Sequence, residues 1–405
     1  MAEVSGLVCV KCGRRYGPGA HLTCPECGLE GILDVEYDYD RMRSSLRQSP
    51  LRRRQECSMW RYSDFLPTGG PGARMRKVGW TPLYSFPQIG AALGHGSLFL
   101  KDDTVNPSAS LKDRASAVAV SMALERGVRA ISCASTGNAA SSAAVLAASV
   151  EMKSYIFVPE TIPKPKLWQL AACATRVFKV AGTYEDAFEL ATDAIAKWGW
   201  ENRNCGINPY LVEGKKTCAL EIYEQLGYRV PDWVVVPVGD GCIISGQWKA
   251  FKDLKQAGET TTLPRMLAVQ AEGCKPIVDA FVTGGDVRPV AGKTVADSIR
   301  VGEPRNWRKA LRALRDSEGR AVGVTDSEIL EAALLLSQKT GLFAEPAAAA
   351  GLAGFRRASE QGMIKRGEVA VILITGSGLK DPEAVASGAR VYDVEVDLEA
   401  VGRHL

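Results

Sequence analysis

From residue 98 onward, short apolar runs alternate with amphipathic stretches, a pattern that predicts strands and helices in turn. Residues 98–100, 131–134, 155–158 and 177–180 read as buried strands. Between them, 115–125, 167–173 and 184–198 carry apolar residues at helical spacing; Gly127 stops the first, and Asp186, Glu189 and Asp193 occupy the outer face of the last. After Pro209 a second series follows: helix 217–226, strand 234–238, helix 243–254, strand 266–269, further helices as far as Ser337, and a last strand over 369–375. Strands that alternate with helices imply parallel sheets with right-handed crossovers. Two such series make two doubly wound sheets facing across a cleft.

The chain before residue 98 departs from this pattern. Cys9-x2-Cys12 and Cys24-x2-Cys27, each pair followed by Gly, have the spacing of two zinc knuckles, and four thiolates so placed can close a tetrahedral structural site. His21, between them, is surplus to a four-cysteine site. Through residue 55 basic and acidic side chains nearly balance, so this ribbon lacks the basic face of a nucleic-acid binder. Residues 37–54 are charged and end in Arg52-Arg53-Arg54, and residues 67–72, Pro-Thr-Gly-Gly-Pro-Gly, break any helix. The expected division is a zinc ribbon over 1–36, a connecting segment and the start of a large domain over 37–97, a smaller α/β domain over 98–208 and the large α/β domain over 209–405.

A chain of 405 residues, 46% hydrophobic, can bury a large core. The net charge of +4 gives no support to a nucleic-acid partner. Neither a charged leader with an apolar core nor a membrane-length apolar run is evident, so a cytoplasmic location with no membrane partner is expected. The other seven of the eleven cysteines are scattered singly, which suits a reducing compartment.

Candidate chemistry gathers in four stretches. Asn106 to Arg114 places one lysine, Lys112, among small residues; partial burial would free its amine to attack a carbonyl. Taken alone, such a lysine is more often a solvated helix start. Ser135-Thr136-Gly137-Asn138, Gly239-Asp240-Gly241-Cys242 and Thr375 to Asp381 each follow an apolar strand with glycines or hydroxyls. Open α/β sheets bind ligands at such strand ends, and a helix start there favours an anion.

These stretches, with Gly79-Trp-Thr-Pro-Leu83, Glu345-Pro-Ala347, Asn208-Pro-Tyr210 and Glu213 to Thr217, occur in the order found in the threonine synthase-like family of fold-type II pyridoxal-phosphate enzymes, which the chain resembles over nearly its whole length. The resemblance implies the tryptophan synthase β-like fold, with the cofactor held between two sheets, and an N-terminal zinc ribbon. It further implies that Lys112 binds the cofactor as a Schiff base and moves protons. The amides of Gly239, Asp240, Gly241 and Cys242 would hold the cofactor phosphate, Asn138 its phenolic oxygen and Thr375 its pyridine nitrogen. Ser135, Thr136 and Gly137 would hold the substrate carboxylate. Pyridoxal 5'-phosphate and a structural zinc are the expected cofactors, a small amino acid the expected partner, and a homodimer the expected assembly.

The implied reaction converts O-phospho-L-homoserine and water to L-threonine and phosphate. Two departures from the family pattern bear on it. Asp240 stands where Asn is usual, and a carboxylate beside a phosphate repels it unless the side chain turns away. Cys205, Gly206 and Leu211 replace the Asn, Ser and Arg that help hold the substrate phosphate, with Lys166, Lys215 and Lys216 as candidate replacements. Elimination or β-replacement on a shorter amino acid, as in serine or threonine dehydratases, therefore stays open, as does a non-catalytic protein that binds through its zinc ribbon.

Overall fold

In the computed structural model, which describes residues 2–71, 75–162, 164–386, 391–396 and 398–403, the strand Trp233–Pro237 is buried along its whole length. Val234 and Val236 enter one apolar core, while Trp233 and Val235 enter another on the opposite face. Its neighbour Ala370–Ile374 divides in the same way, Val371 and Leu373 on one side and Ala370, Ile372 and Ile374 on the other. Burial on both faces is why these strands read as continuous apolar runs.

The six-stranded sheet runs in the order Arg320–Val324, Arg265–Ala271, Trp233–Pro237, Ala370–Ile374, Leu98–Asp102, Leu83–Ser85. Its neighbours are parallel except for the last pair. The second sheet, Arg176–Val180, Lys153–Pro159, Ala130–Ala134 and Glu201–Asn202, is parallel throughout. Helix Tyr184–Trp198 packs Ala187, Phe188, Ala191, Ala194 and Ile195 inward. A Thr183–Asp186 capping box starts this helix and left-handed Gly199 stops it.

Two expectations change. Leu98–Asp102 was expected to open the smaller domain, yet it pairs with Ala370–Ile374 inside the larger sheet. The partner that decides its place lies far along the chain, so local pattern carries no sign of it. The helix expected over 217–226 is Tyr210–Gln225. Its early turns bury Glu213, Lys215 and Lys216, whose charges interrupt the apolar spacing.

Residues Arg15–Tyr16, Val4–Cys9 and Leu33–Tyr37 form a three-stranded antiparallel sheet docked on the larger unit. Lys309 donates to the Leu33 carbonyl at 2.8 Å and to Asp34 at 2.9 Å. Lys249 donates to the Val35 carbonyl, and the Tyr37 hydroxyl donates to Glu213 at 2.8 Å.

Candidate functional site

Lys112 is the first residue of helix Lys112–Glu125, and the loop before it is tied down from several directions. Leu111 N–H donates to the Thr375 carbonyl at 2.9 Å and Ser377 N–H to the Ala109 carbonyl at 3.1 Å. The lysine loop and the Thr375 loop are thus one backbone unit. Asp113 accepts from Ser108 N–H at 2.6 Å, and Ala109 takes a left-handed φ of 59° to close the turn. Beneath the loop, fully buried Arg114 donates to Asp103 at 2.7 Å and to Glu221 at 2.9 Å, and Lys101 pairs with Glu221 at 2.7 Å. Burial, reinforced by the positive charge of Lys215, pushes the Lys112 amine below the ordinary lysine range.

Across from it, Asn138 opens helix Asn138–Ser149 and donates through its amide to both oxygens of Glu345, at 2.9 and 3.1 Å. Glu345 precedes Pro346, the first residue of helix Pro346–Glu360, and burial pushes its carboxyl upward. Thr136, Gly137, Asn138, Ser298, Glu345 and Lys380 line a narrow cleft. The Ser135 hydroxyl accepts from Gly137 N–H at 3.2 Å, which shapes that wall. Lys112 and the turn at 239–242 lie outside the lining of this cleft, although the charge of Glu345 acts on Lys112.

The Gly239–Cys242 turn leads into helix Cys242–Gln256, with Gly241 at φ 87°. A Cβ on Gly241 would stand 3.0 Å from Ala310 Cβ and from the Asn306 carbonyl; one on Gly239 would stand 3.1 Å from Ile299 Cα. The turn therefore favours glycine at both places and leads into the positive end of a helix dipole. Asp240 accepts from Arg305 N–H at 2.6 Å and from the Cys242 thiol at 3.1 Å. Its carboxylate is thus engaged by Arg305 and Cys242, and burial, with Cys205 close by, pushes its proton affinity up.

The segment after the smaller sheet changes the picture of the missing phosphate ligands. Leu211 is 1% exposed and packed in the main core. Gly206 has φ 75°, and a Cβ there would fall 2.7 Å from Arg305 Cβ. Among the candidate replacements, Lys216 is committed to Glu213 and Asp253, each at 2.6 Å, while the side chain of Lys166 lies outside the described residues. Lys215 is buried and reaches Cys205 instead. Sequence alone singled out no role for Arg203, for Glu345 as partner of Asn138, or for Lys380. Glu345 and Lys380 nevertheless carried a signal, the one in the Glu-Pro pair at a helix start and the other inside the stretch Thr375 to Asp381.

Cys9, Cys12, Cys24 and Cys27 present four sulfurs within 4.8 Å of one another. Gly13 and Gly28, which follow the two pairs, both take positive φ, 74° and 57°. A Cβ on Gly31 would lie 2.6 Å from the Cβ atoms of Cys24 and Cys27, so the knuckles close only over a glycine.

Residues 75–376 match the family described as pyridoxal-phosphate dependent enzymes. The chain is similar to the threonine synthase of Methanocaldococcus jannaschii, 39% identical over 402 residues and 98% of each chain. It is also similar to the threonine synthase of Methanosarcina acetivorans, 38% identical over 399 residues and 96% of each chain. Among solved structures, diaminopropionate ammonia lyase from Escherichia coli is similar with a TM-score of 0.66 and 18% identity, over 84% of this chain and 94% of that one. The processed form of threonine deaminase isoform 2 from Solanum lycopersicum has a TM-score of 0.65 and 22% identity, over 76% and 88%. At those identities the two structures speak for the fold alone.

Proposed function

The chain belongs to the threonine synthase family of pyridoxal-phosphate dependent enzymes, and from that premise we propose that it is a lyase converting O-phospho-L-homoserine and water to L-threonine and phosphate. The observation that carries the reading is similarity to threonine synthases over nearly the full length of both chains. The site fits the cofactor. A turn favouring glycine at a helix N-terminus suits its phosphate, and a buried amine of lowered proton affinity suits its aldehyde. In this reading Lys112 and the amides of Gly239, Asp240, Gly241 and Cys242 hold it, with Asn138 at the phenolic oxygen and Thr375 at the pyridine nitrogen. When bound, the cofactor supplies an electron sink for carbanions beside the amino group.

The protein's own groups do the rest. The Lys112 amine, its proton affinity lowered by burial and by Lys215, takes and returns protons at the substrate carbons. Ser135, Thr136 and Gly137 orient the substrate carboxylate, and Glu345 holds the Asn138 amide in place. Thr375 offers a neutral hydroxyl where other cofactor classes use a charged side chain, which suits elimination and replacement better than transamination. Phosphate leaves from Cγ and the hydroxyl of water adds at Cβ, so one water is consumed for each phosphate released.

The four clustered cysteines support a structural zinc within the same reading. A homodimer and a cytoplasmic location complete it; eleven unpaired thiols suit a reducing compartment. Among the described residues no helix is long and apolar enough to cross a membrane.

The test supplies purified protein and pyridoxal phosphate with O-phosphohomoserine, threonine, serine or O-phosphoserine, and measures phosphate, threonine, ammonia and keto acid. Equimolar phosphate and threonine from O-phosphohomoserine is the expected result. Ammonia and keto acid from serine or threonine, with O-phosphohomoserine untouched, would replace it with the dehydratase reading that Cys205, Gly206 and Leu211 leave open.

A further inference from the structure

Between the lysine loop and the glycine turn lies a cluster of charge that the scheme above uses only through the effect of Lys215 on Lys112. Arg203 and Lys215 are 0% and 1% exposed. Arg203 Nη1 reaches Cys205 Sγ at 3.2 Å and Lys215 Nζ reaches the same sulfur at 3.7 Å. Arg203 is held by Ser116 Oγ at 2.7 Å and donates to the carbonyl of Lys112 at 3.4 Å, which fixes the cluster against the catalytic lysine. Among the described residues no carboxylate is ion-paired with either cation. Neighbouring Lys216, by contrast, has two.

With a hydrogen bond from Cys242, the cations help push the Cys205 thiol well below its ordinary range, yet one sulfur can offset only one of two buried positive charges, and the remainder is costly without a further anion. The cofactor phosphate has its own place, at the glycine turn and the helix N-terminus. The substrate brings a second phosphate, and a second dianion needs fixed positive charge of its own. We infer that Lys215 and Arg203 form the subsite for the substrate's phosphate monoester, taking over from the family's Asn, Ser and Arg at 205, 206 and 211. The assignment rests on the proposed reaction and deepens it. It also explains how Leu211 can serve the core: the positive charge has moved four residues along the same helix, from 211 to 215.

The test uses the holoenzyme, with inorganic phosphate as a competing probe. Lys215→Met should raise KM for O-phosphohomoserine and the inhibition constant of inorganic phosphate together, by about 10- to 100-fold, the range of one charged hydrogen bond. Cofactor affinity, read by absorbance titration, should change by less than about threefold, because a lost phosphate contact of that strength would shift it at least tenfold. Lys215→Arg should recover most of the loss. Cys205→Asp, which sets a carboxylate between the two cations, should act in the same direction as Lys215→Met and keeps the test decisive if that variant does not fold. An active wild type whose variants keep both constants overturns the subsite and leaves the reaction standing. Loss of cofactor affinity with KM unchanged assigns the cluster to the cofactor and overturns it too. A wild type that releases no phosphate from O-phosphohomoserine removes the reaction and the subsite together.

Discussion

Lys112, half-buried, differs from the fully buried Lys101 and Lys216 in its company. Lys101 and Lys216 face carboxylates, whereas Lys112 has another cation, Lys215, near enough to push its proton away. Lys112→Ala is therefore expected to abolish turnover and the visible absorption that accompanies the lysine–cofactor bond, with the thermal midpoint little changed. Persistence of that absorption in the variant would discard the assignment. Leu211 gives the opposite lesson. From the sequence, Leu211→Arg looks like restoration of a lost phosphate ligand. In the structure it would push a guanidinium into an apolar core. Such burial without a partner costs about 3 kcal/mol or more. The expected outcome is a fall in thermal midpoint with no gain in specificity constant; a gain would mean that position 211 reaches the substrate after all.

Among the elements, the start of helix Lys112–Glu125 owes its position to ion pairs as well as apolar contact. Glu221, from helix Tyr210–Gln225, meets Arg114 and Lys101, and its oxygens also accept from the N–H groups of Trp80 at 2.7 Å and Thr81 at 3.1 Å. Burial works against the charge of Glu221, yet Arg114 and Lys101 outweigh it and hold the carboxyl at about 2, below the ordinary glutamate value of 4.5. A carboxyl with a depressed folded pKa contributes stability that is fully present above the unfolded value and lost as pH falls toward the folded one. Acid unfolding should therefore show a loss on the order of 3 kcal/mol between pH about 4.5 and 2. Glu221→Gln should remove that part of the pH dependence and lower stability at pH 7 by about 3 to 5 kcal/mol, since buried Lys101 loses its carboxylate and Arg114 keeps only Asp103. Denaturant titrations across pH read both effects; an unchanged acid limb in the variant would show that the stability resides elsewhere.

At the scale of the whole molecule, the N-terminal ribbon is joined to the catalytic unit by buried charge. Although burial opposes it, Lys249 and Lys309 hold the Asp34 carboxyl well below the usual range, and Lys249 also pairs with Glu213 at 3.2 Å. Deleting residues 1–36 would strip these lysines of Asp34, so an aggregated or strongly destabilised chain is expected in place of a trimmed active enzyme. One zinc per chain is the expected metal content, and chelation should lower the thermal midpoint while the visible absorption of the holoenzyme persists. A soluble full-length chain without zinc would refute the metal assignment. Much of this protein was legible one segment at a time. Apolar runs marked the central strands because both their faces are buried, glycine and hydroxyl turns marked the strand ends, and paired cysteines marked the ribbon, all signals that need only near neighbours. What the tertiary structure alone decided are the pairings made across long stretches of chain: Leu98–Asp102 beside Ala370–Ile374, Asn138 with Glu345, Asp34 with Lys309, and Arg203 with Ser116. A buried charge is stable only through partners, and those partners need not be near in sequence, so the spacing of Lys215 and Lys216 along the helix showed two equal lysines. Packing made one an ion pair within the fold and set the other against Cys205.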